Sequence, residues 1–321
     1  MRILIMGAGA IGSIVGGFMA RAGHAVTLVG RGQHMAAIAK DGLRVTGIWG
    51  EDCIRGMDTR TTLDGRDGLD TGWDCIIVTV KSYDTKAAAR AIAPLAGPNT
   101  LVCAYQNGLG NAEALADAVG WERVVGVRAI YGVWNPEPGH AEVTVIAQPT
   151  ALGVYRPEAP AERVRELAAA MDAAGLPTVY TDCIATVLWQ KVAYNCALNP
   201  LSALLDVPYG ALLDTEHTRE MLQAIVSELY AVGKAMGVDL DPSSPDEYYR
   251  LLVEVLIPPT AAHFASMRED FRRGRRTEID AMNGAICGYG AFLGLACPVN
   301  LTLTRLVKAR EARYLATHAE N

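Results

Sequence analysis

Neither a Cys-x-x-Cys pair nor a His-x-x-x-His pair occurs in this sequence of 321 residues, although it holds seven cysteines and six histidines. The cysteines, at positions 53, 75, 103, 183, 196, 287 and 297, are scattered and odd in number. That distribution points away from a zinc site and a disulfide framework, so no metal is expected and a reducing cytoplasm is the expected compartment. An excess of basic charge is missing as well. The 29 Lys and Arg against 35 Asp and Glu give a net charge of −6, which offers nothing to nucleic acid or an anionic membrane. The one arginine cluster, at 268, 272, 273, 275 and 276, is interleaved with Glu269, Asp270 and Glu278 and reads as a solvated helix end. Internal repeats and low-complexity linkers are absent too. What remains is half hydrophobic and one-fifth charged, ordinary for a globular protein of about two domains.

The N-terminal stretch is the most informative. Residues 1–6 form a short apolar strand, which runs into Gly7-Ala8-Gly9-Ala10-Ile11-Gly12 and then a helix-compatible stretch to Ala22. In this context a G-x-G-x-x-G turn reads as a dinucleotide site. Gly7 allows the tight turn, Gly9 lets a pyrophosphate approach the backbone, and Gly12 lets helix and strand pack closely. The N–H groups at the helix start then face the phosphates. Residues 3–20 carry no charge and follow Arg2, as a secretion signal or a membrane span would. Their glycines at 7, 9, 12, 16 and 17 sit where a dinucleotide turn explains them, so that reading is set aside.

A further absence concerns the next strand, Ala25–Val29. NAD sites place an acid at its end, about 20 residues past the glycines, to bind the ribose 2′-hydroxyl. Here the sequence is Gly30-Arg31-Gly32. An arginine there pairs with a 2′-phosphate, so NADP(H) is expected over NAD(H). The alternative is a solvated loop charge.

Apolar runs and helical stretches alternate through the first half: a strand over 75–80, a helix over 83–93, a strand over 100–104, β-rich pieces at 124–130, 141–146 and 151–154, a helix over 161–174 and a strand at 178–180. This predicts an α/β fold, a Rossmann-type doubly wound parallel sheet over residues 1–181. From Asp182 the pattern is helical throughout (182–199, 215–236, 248–256, 263–273, 278–293, 299–314), predicting an all-helical C-terminal domain over 182–321, with Asp182 as the first N-cap.

Lys191, Asn195 and Asn199 are spaced by four and share one face of the first of these helices. Their neighbours are mostly apolar, so either this is an exposed polar stripe or the three face a polar cavity. In the second case a lysine suits carbonyl reduction, polarising the carbonyl and donating a proton, while asparagines hold substrate oxygens. Further along, Thr277 and Asp280 form a capping pattern that would place Glu278 in the first turn of a helix. The bland reading is a capped helix start. The functional one sets Glu278 beside Lys191, with Ser266 as a hydroxyl donor to a substrate carboxylate. Lys81 and Asn107 lie at carboxyl ends of predicted strands, where such sheets bind ligands, and are either contacts to cofactor or substrate or plain loop residues.

Taken together, G-A-G-A-I-G at 7–12, G-R at 30–31, V-K at 80–81, Q-N-G at 106–108, L-W-Q-K-V-A-Y-N-C-A-L-N-P at 188–200, and S-M-x-x-D with G-R-R-T-E-I-D at 266–280 resemble the ketopantoate reductase (2-dehydropantoate 2-reductase) family in order and spacing. The resemblance implies an NADPH-dependent reduction of 2-dehydropantoate to pantoate, in pantothenate and coenzyme A biosynthesis. By it, Lys191 is the catalytic acid and Glu278 the carboxylate that orients lysine and substrate. Asn195, Asn199, Ser266 and Asn107 bind substrate. Gly7, Ala8, Gly9, Ala10, Ile11, Gly12, Arg31, Lys81 and Asn107 contact NADP(H). The partner is a small-molecule 2-oxoacid, with no nucleic acid and no membrane, and a homodimer is left open. One segment departs from the family pattern: residues 138–145 lack a His-x-Gly-x-Gly-like spacing, which bears on the substrate more than on the reaction. The rival readings are a reductase of another 2-oxoacid, an opine-type dehydrogenase, and a non-catalytic NADPH-sensing protein. The last has no use for a proton donor such as Lys191.

Overall fold

The structure, a computed structural model, describes residues 1–63 and 72–319. The chain divides into two compact units, one of residues 1–106 and 111–184, the other of residues 107–110 and 185–321.

The first unit is built on one sheet. Among the described residues its strands are β1 (Arg2–Met6), β2 (Ala25–Val29), β3 (Leu43–Gly47), β4 (Asp52–Ile54), β5 (Asp58–Arg60), β6 (Cys75–Val78), β7 (Leu101–Ala104), β8 (Val124–Trp134), β9 (His140–Val154) and β10 (Thr178–Tyr180). They lie in the order β4-β3-β9-β8-β7-β6-β1-β2-β5, with β10 on β9. The run β5-β2-β1-β6-β7-β8 is parallel throughout. Its order reverses between β1 and β6, the switch point at which doubly wound sheets bind ligands beyond the strands' carboxyl ends. Alternate residues of the central strands enter different cores. Ile3, Ile5, Cys75 and Ile77 face one, Leu4, Ile76 and Val78 the other. Burial on both faces is why these strands read as unbroken apolar runs. The helices of this unit are α1 (Ala10–Arg21), α2 (Gly32–Asp41), α3 (Thr85–Ile92), α4 (Asn111–Val119) and α5 (Ala161–Ala173).

Two departures from expectation concern strands. The pieces expected between 124 and 154 form one long antiparallel hairpin, β8 with β9, carried past Gly132 and Pro149 by register shifts between Arg128 and Val133. The strands β3, β4 and β5 were not expected at all.

The second unit is helical among its described residues. After α6 (Ile184–Leu205) come α7 (Glu216–Ala235), α8 (Pro245–Leu251, continued by a π-turn to Leu256), α9 (Ser266–Arg272), α10 (Asn283–Leu293) and α11 (Pro298–Ala319). None of the described helices is long and apolar enough to cross a membrane. Two expected caps are not formed. Helix α6 starts at Ile184, and Asp182 instead accepts from Arg165 at 3.1 Å. Thr277 and Asp280 do not open a long helix. Asp280 takes Lys308 at 2.8 Å and Arg276 at 3.2 Å, residues 279–281 form a single 3-10 turn, and α10 begins only at Asn283. Two basic partners outcompete a backbone N–H for that carboxylate, and they hold it below the usual carboxylate range.

Candidate active site

In the first unit the glycine turn follows β1 directly. Gly7 has φ +105°, and a Cβ there would lie 2.5 Å from the Val80 nitrogen, so only glycine fits. A Cβ at Gly12 would lie 2.5 Å from Thr79 Oγ1. That hydroxyl donates to the Gly7 carbonyl at 2.8 Å and pins the turn against the end of β6, a role the sequence did not suggest. Gly9 differs from both. It is exposed, and a Cβ there would find nothing nearer than the Gly7 carbonyl at 3.9 Å. Gly9 caps α1, whose first turn carries no acidic residue, so the open N–H groups of Ala10, Ile11 and Gly12 meet no negative charge from their own helix. An anionic group is what such a turn accommodates.

Arg31 caps α2 and is exposed, and its side chain makes no hydrogen bond or ion pair among the described residues. A cavity of about 400 Å³ beside it is lined by Gly32, Met35, Ala36 and residues 59–62. Lys81 is half-buried and opens the turn at 82–84 after β6.

The second unit gathers residues from three distant stretches. Lys191 Nζ, from α6, donates to Asn107 Oδ1 at 2.7 Å, across 84 positions of sequence. Two residues on, Leu109 N–H donates to the Ala281 carbonyl at 2.7 Å, and Gly108, with φ +85°, sits so close to that carbonyl that a Cβ would collide with it. Ala281 N–H in turn bonds the Glu278 carbonyl at 3.0 Å. The Q-N-G turn, the lysine helix and the Glu278 segment therefore meet in one place. Glu278 itself is 7% exposed.

Asn195 is half-buried. Asn199 is buried, its carbonyl accepting from Tyr209 Oη at 2.6 Å and its amide facing Met282 Sδ at 3.7 Å. Burial pushes the Tyr209 phenol up, so it stays protonated and gives its hydrogen to Asn199. An asparagine side chain has two donors and two acceptor sites, so each end of Asn199 has capacity for one partner more. Ser266 is exposed at the start of α9. Tyr209 was not foreseen as a neighbour of the asparagine row.

Comparison with known proteins bears on this arrangement. Residues 3–157 match the family model "Ketopantoate reductase PanE/ApbA", and residues 183–311 match its C-terminal counterpart. The 2-dehydropantoate 2-reductase of Aquifex aeolicus is 38% identical over 312 residues, 97% of each chain. That of Pyrococcus horikoshii is 36% identical over 97% of this chain and 98% of its own. Among solved structures, a PanE/ApbA family ketopantoate reductase from Ralstonia eutropha superposes with a TM-score of 0.86 at 32% identity, covering 98% of this chain and all of the other. A D-mandelate dehydrogenase described with NADH and anilino(oxo)acetate gives 0.85 at 26% identity, covering 98% and 99%. The glycine turn lies within the first matched range and the lysine–asparagine helix and the Glu278 segment within the second, and the chain belongs to the ketopantoate reductase family.

Proposed function

We propose that this protein is an NADPH-dependent reductase of 2-dehydropantoate, with residues 1–181 binding the nucleotide and 182–321 carrying the substrate chemistry. The observation that carries the reading is the Lys191–Asn107 hydrogen bond of 2.7 Å, which fixes an ammonium group beside the Glu278 segment in a chain of this family. The cofactor fits the residues present. Gly9 is bare toward solvent, the start of α1 is free of acids, and Arg31 rather than an acid follows β2. Residues 7–12 would hold the pyrophosphate, Arg31 the 2′-phosphate, and Lys81 with Asn107 the nicotinamide end. When bound, the dihydronicotinamide supplies hydride to the ketone carbon.

The chain's own residues do the rest. One N–H of the Lys191 ammonium is given to Asn107, which sets the position of its head. In the proposed reaction another meets the ketone oxygen, stabilises the charge growing on it and passes it a proton. The neutral amine regains its proton from solvent. Glu278 orients Lys191 and the substrate, and Asn195, Asn199 and Ser266 bind the substrate's oxygens. A reducing cytoplasm suits seven cysteines that are all free thiols.

A second reading keeps the chemistry and changes the acid. The similarity to a D-mandelate dehydrogenase, together with the departure at residues 138–145, favours a related 2-oxoacid as the alternative substrate. NADPH consumption measured with 2-dehydropantoate beside a panel of branched and aromatic 2-oxoacids separates the two. The highest kcat/KM falls on 2-dehydropantoate if the first holds, and on another acid if the second does.

A further inference from the structure

We infer that Asn283 is a positioning residue for the Lys191–Asn195–Asn199 face of α6, holding the one backbone carbonyl that Pro200 deprives of its helical donor. The inference rests on the proposed reading of that face as the substrate side of a reductase.

Pro200 lies inside α6. A proline has no N–H, so the carbonyl four residues before it loses its partner in the helix. That carbonyl belongs to Cys196, a fully buried residue, where water cannot replace the missing donor. Asn283 Nδ2 donates to it at 3.0 Å.

The orientation of this amide is forced by its surroundings. Glu228 accepts from the Val299 and Asn300 backbone N–H groups at 2.8 and 3.0 Å, and from Asn300 Nδ2 at 2.7 Å. Asn300 thus turns its nitrogen to Glu228 and its oxygen to Asn283, which donates to it at 2.9 Å. Both acceptors of Asn283, the Asn300 oxygen and the Cys196 carbonyl, require nitrogen, so Asn283 Nδ2 faces both. Its own oxygen is left buried without a hydrogen-bond partner. Asn283 is wholly buried and spends its polar capacity on those two donor bonds.

The position of the bond gives it a functional consequence. Cys196 follows Asn195 and lies between Lys191 and Asn199, in the turn where α6 is one bond short. Asn283 opens α10, five residues after Glu278. One hydrogen bond therefore ties the lysine–asparagine helix to the segment that carries Glu278, at the point where a helix lacking its own bond is freest to bend. A displacement of reacting groups by about 1 Å costs on the order of 100-fold in rate.

The test is a double-mutant cycle in the full-length enzyme. Asn283→Ala removes the side-chain donor, whereas Pro200→Ala puts a backbone N–H back in front of the same carbonyl. Asn283→Ala alone is expected to lower kcat per NADPH-binding site by about 10- to 100-fold, with NADPH affinity unchanged. In the Pro200→Ala background the same substitution is expected to cost about threefold or less, because the restored backbone N–H then serves the Cys196 carbonyl. Equal losses in both backgrounds overturn the proposal and leave Asn283 a packing residue. The same cycle read as thermal midpoints does not depend on the substrate. If the wild-type enzyme turns over no 2-oxoacid, the reductase reading falls, while additive midpoint shifts would overturn the carbonyl exchange itself. An Asn283→Ala variant that folds only together with Pro200→Ala supports the exchange, and failure to fold in both backgrounds contradicts it.

Discussion

Arg31 carries the choice of nucleotide in this account. It stands where an acid would bind a ribose hydroxyl, exposed and with no side-chain partner among the described residues. A charge-assisted contact to phosphate contributes about 1.5–3 kcal/mol, so Arg31→Ala should weaken NADPH binding by about 10- to 100-fold and leave NADH binding nearly as it was. Titration of both nucleotides against wild type and variant checks this, and an undiminished NADPH affinity would remove Arg31 from the site. Residues of this kind are legible in sequence because the type is wrong for its surroundings: an arginine in place of an acid, a lysine on an apolar helix. Their partners are not. Asn107 meets Lys191 across 84 positions, and Tyr209 meets Asn199 through a tertiary fold that no local spacing encodes.

At the scale of elements, α1 and α2 are joined through a buried histidine. His34 Nδ1 accepts from the Gly139 N–H at 2.9 Å, so Nε2 carries the ring hydrogen and donates to Ser13 Oγ at 2.8 Å. Ser13 follows the glycine turn and His34 lies three residues past Arg31, so this bond sets the starts of α1 and α2 relative to each other. Burial lowers the His34 pKa below the ordinary 6.5. The neutral ring is then the folded form, and the unfolded chain takes up the extra proton. The stabilisation is complete above pH 6.5 and is lost as the pH falls through the folded pKa. The thermal midpoint should therefore drop as the pH falls from 6.5 towards the folded pKa, and His34→Gln should show a shallower drop. Parallel profiles would mean that His34 contributes nothing to the pH dependence. Elements were legible where their signal was long. The buried runs of β1, β2, β6 and β7 and the helical periods of α5 and α7 stand out. The strands β4 and β5 are three residues each, and β3 alternates buried Leu43 and Val45 with Arg44 and Thr46 for only five. Such segments are held by pairing with distant strands, β3 lying parallel to β9 across some hundred positions, rather than by their own pattern.

For the whole molecule, the motifs of both units lie in one family frame that covers almost the full chain. The reaction class follows from that frame, and Lys191 is the proposed donor of its proton. The acyl tail of the substrate follows from neither, because no spacing of charged residues encodes an apolar tail. The departing segment at 138–145 includes the start of β9, where Ala141 and Val143 are fully buried and residues 140–143 pair with residues 44–47. That segment is thus built into the sheet of the first unit. The central claim is that Lys191 delivers the proton in an NADPH-dependent reduction of 2-dehydropantoate. The most direct test is the steady-state rate of NADPH consumption with that substrate, for wild type and Lys191→Ala, with NADPH binding measured on both. The account predicts turnover by the wild type and a loss of about 10²- to 10⁴-fold in kcat for the variant at unchanged NADPH affinity. A variant that turns over at near the wild-type rate would contradict it.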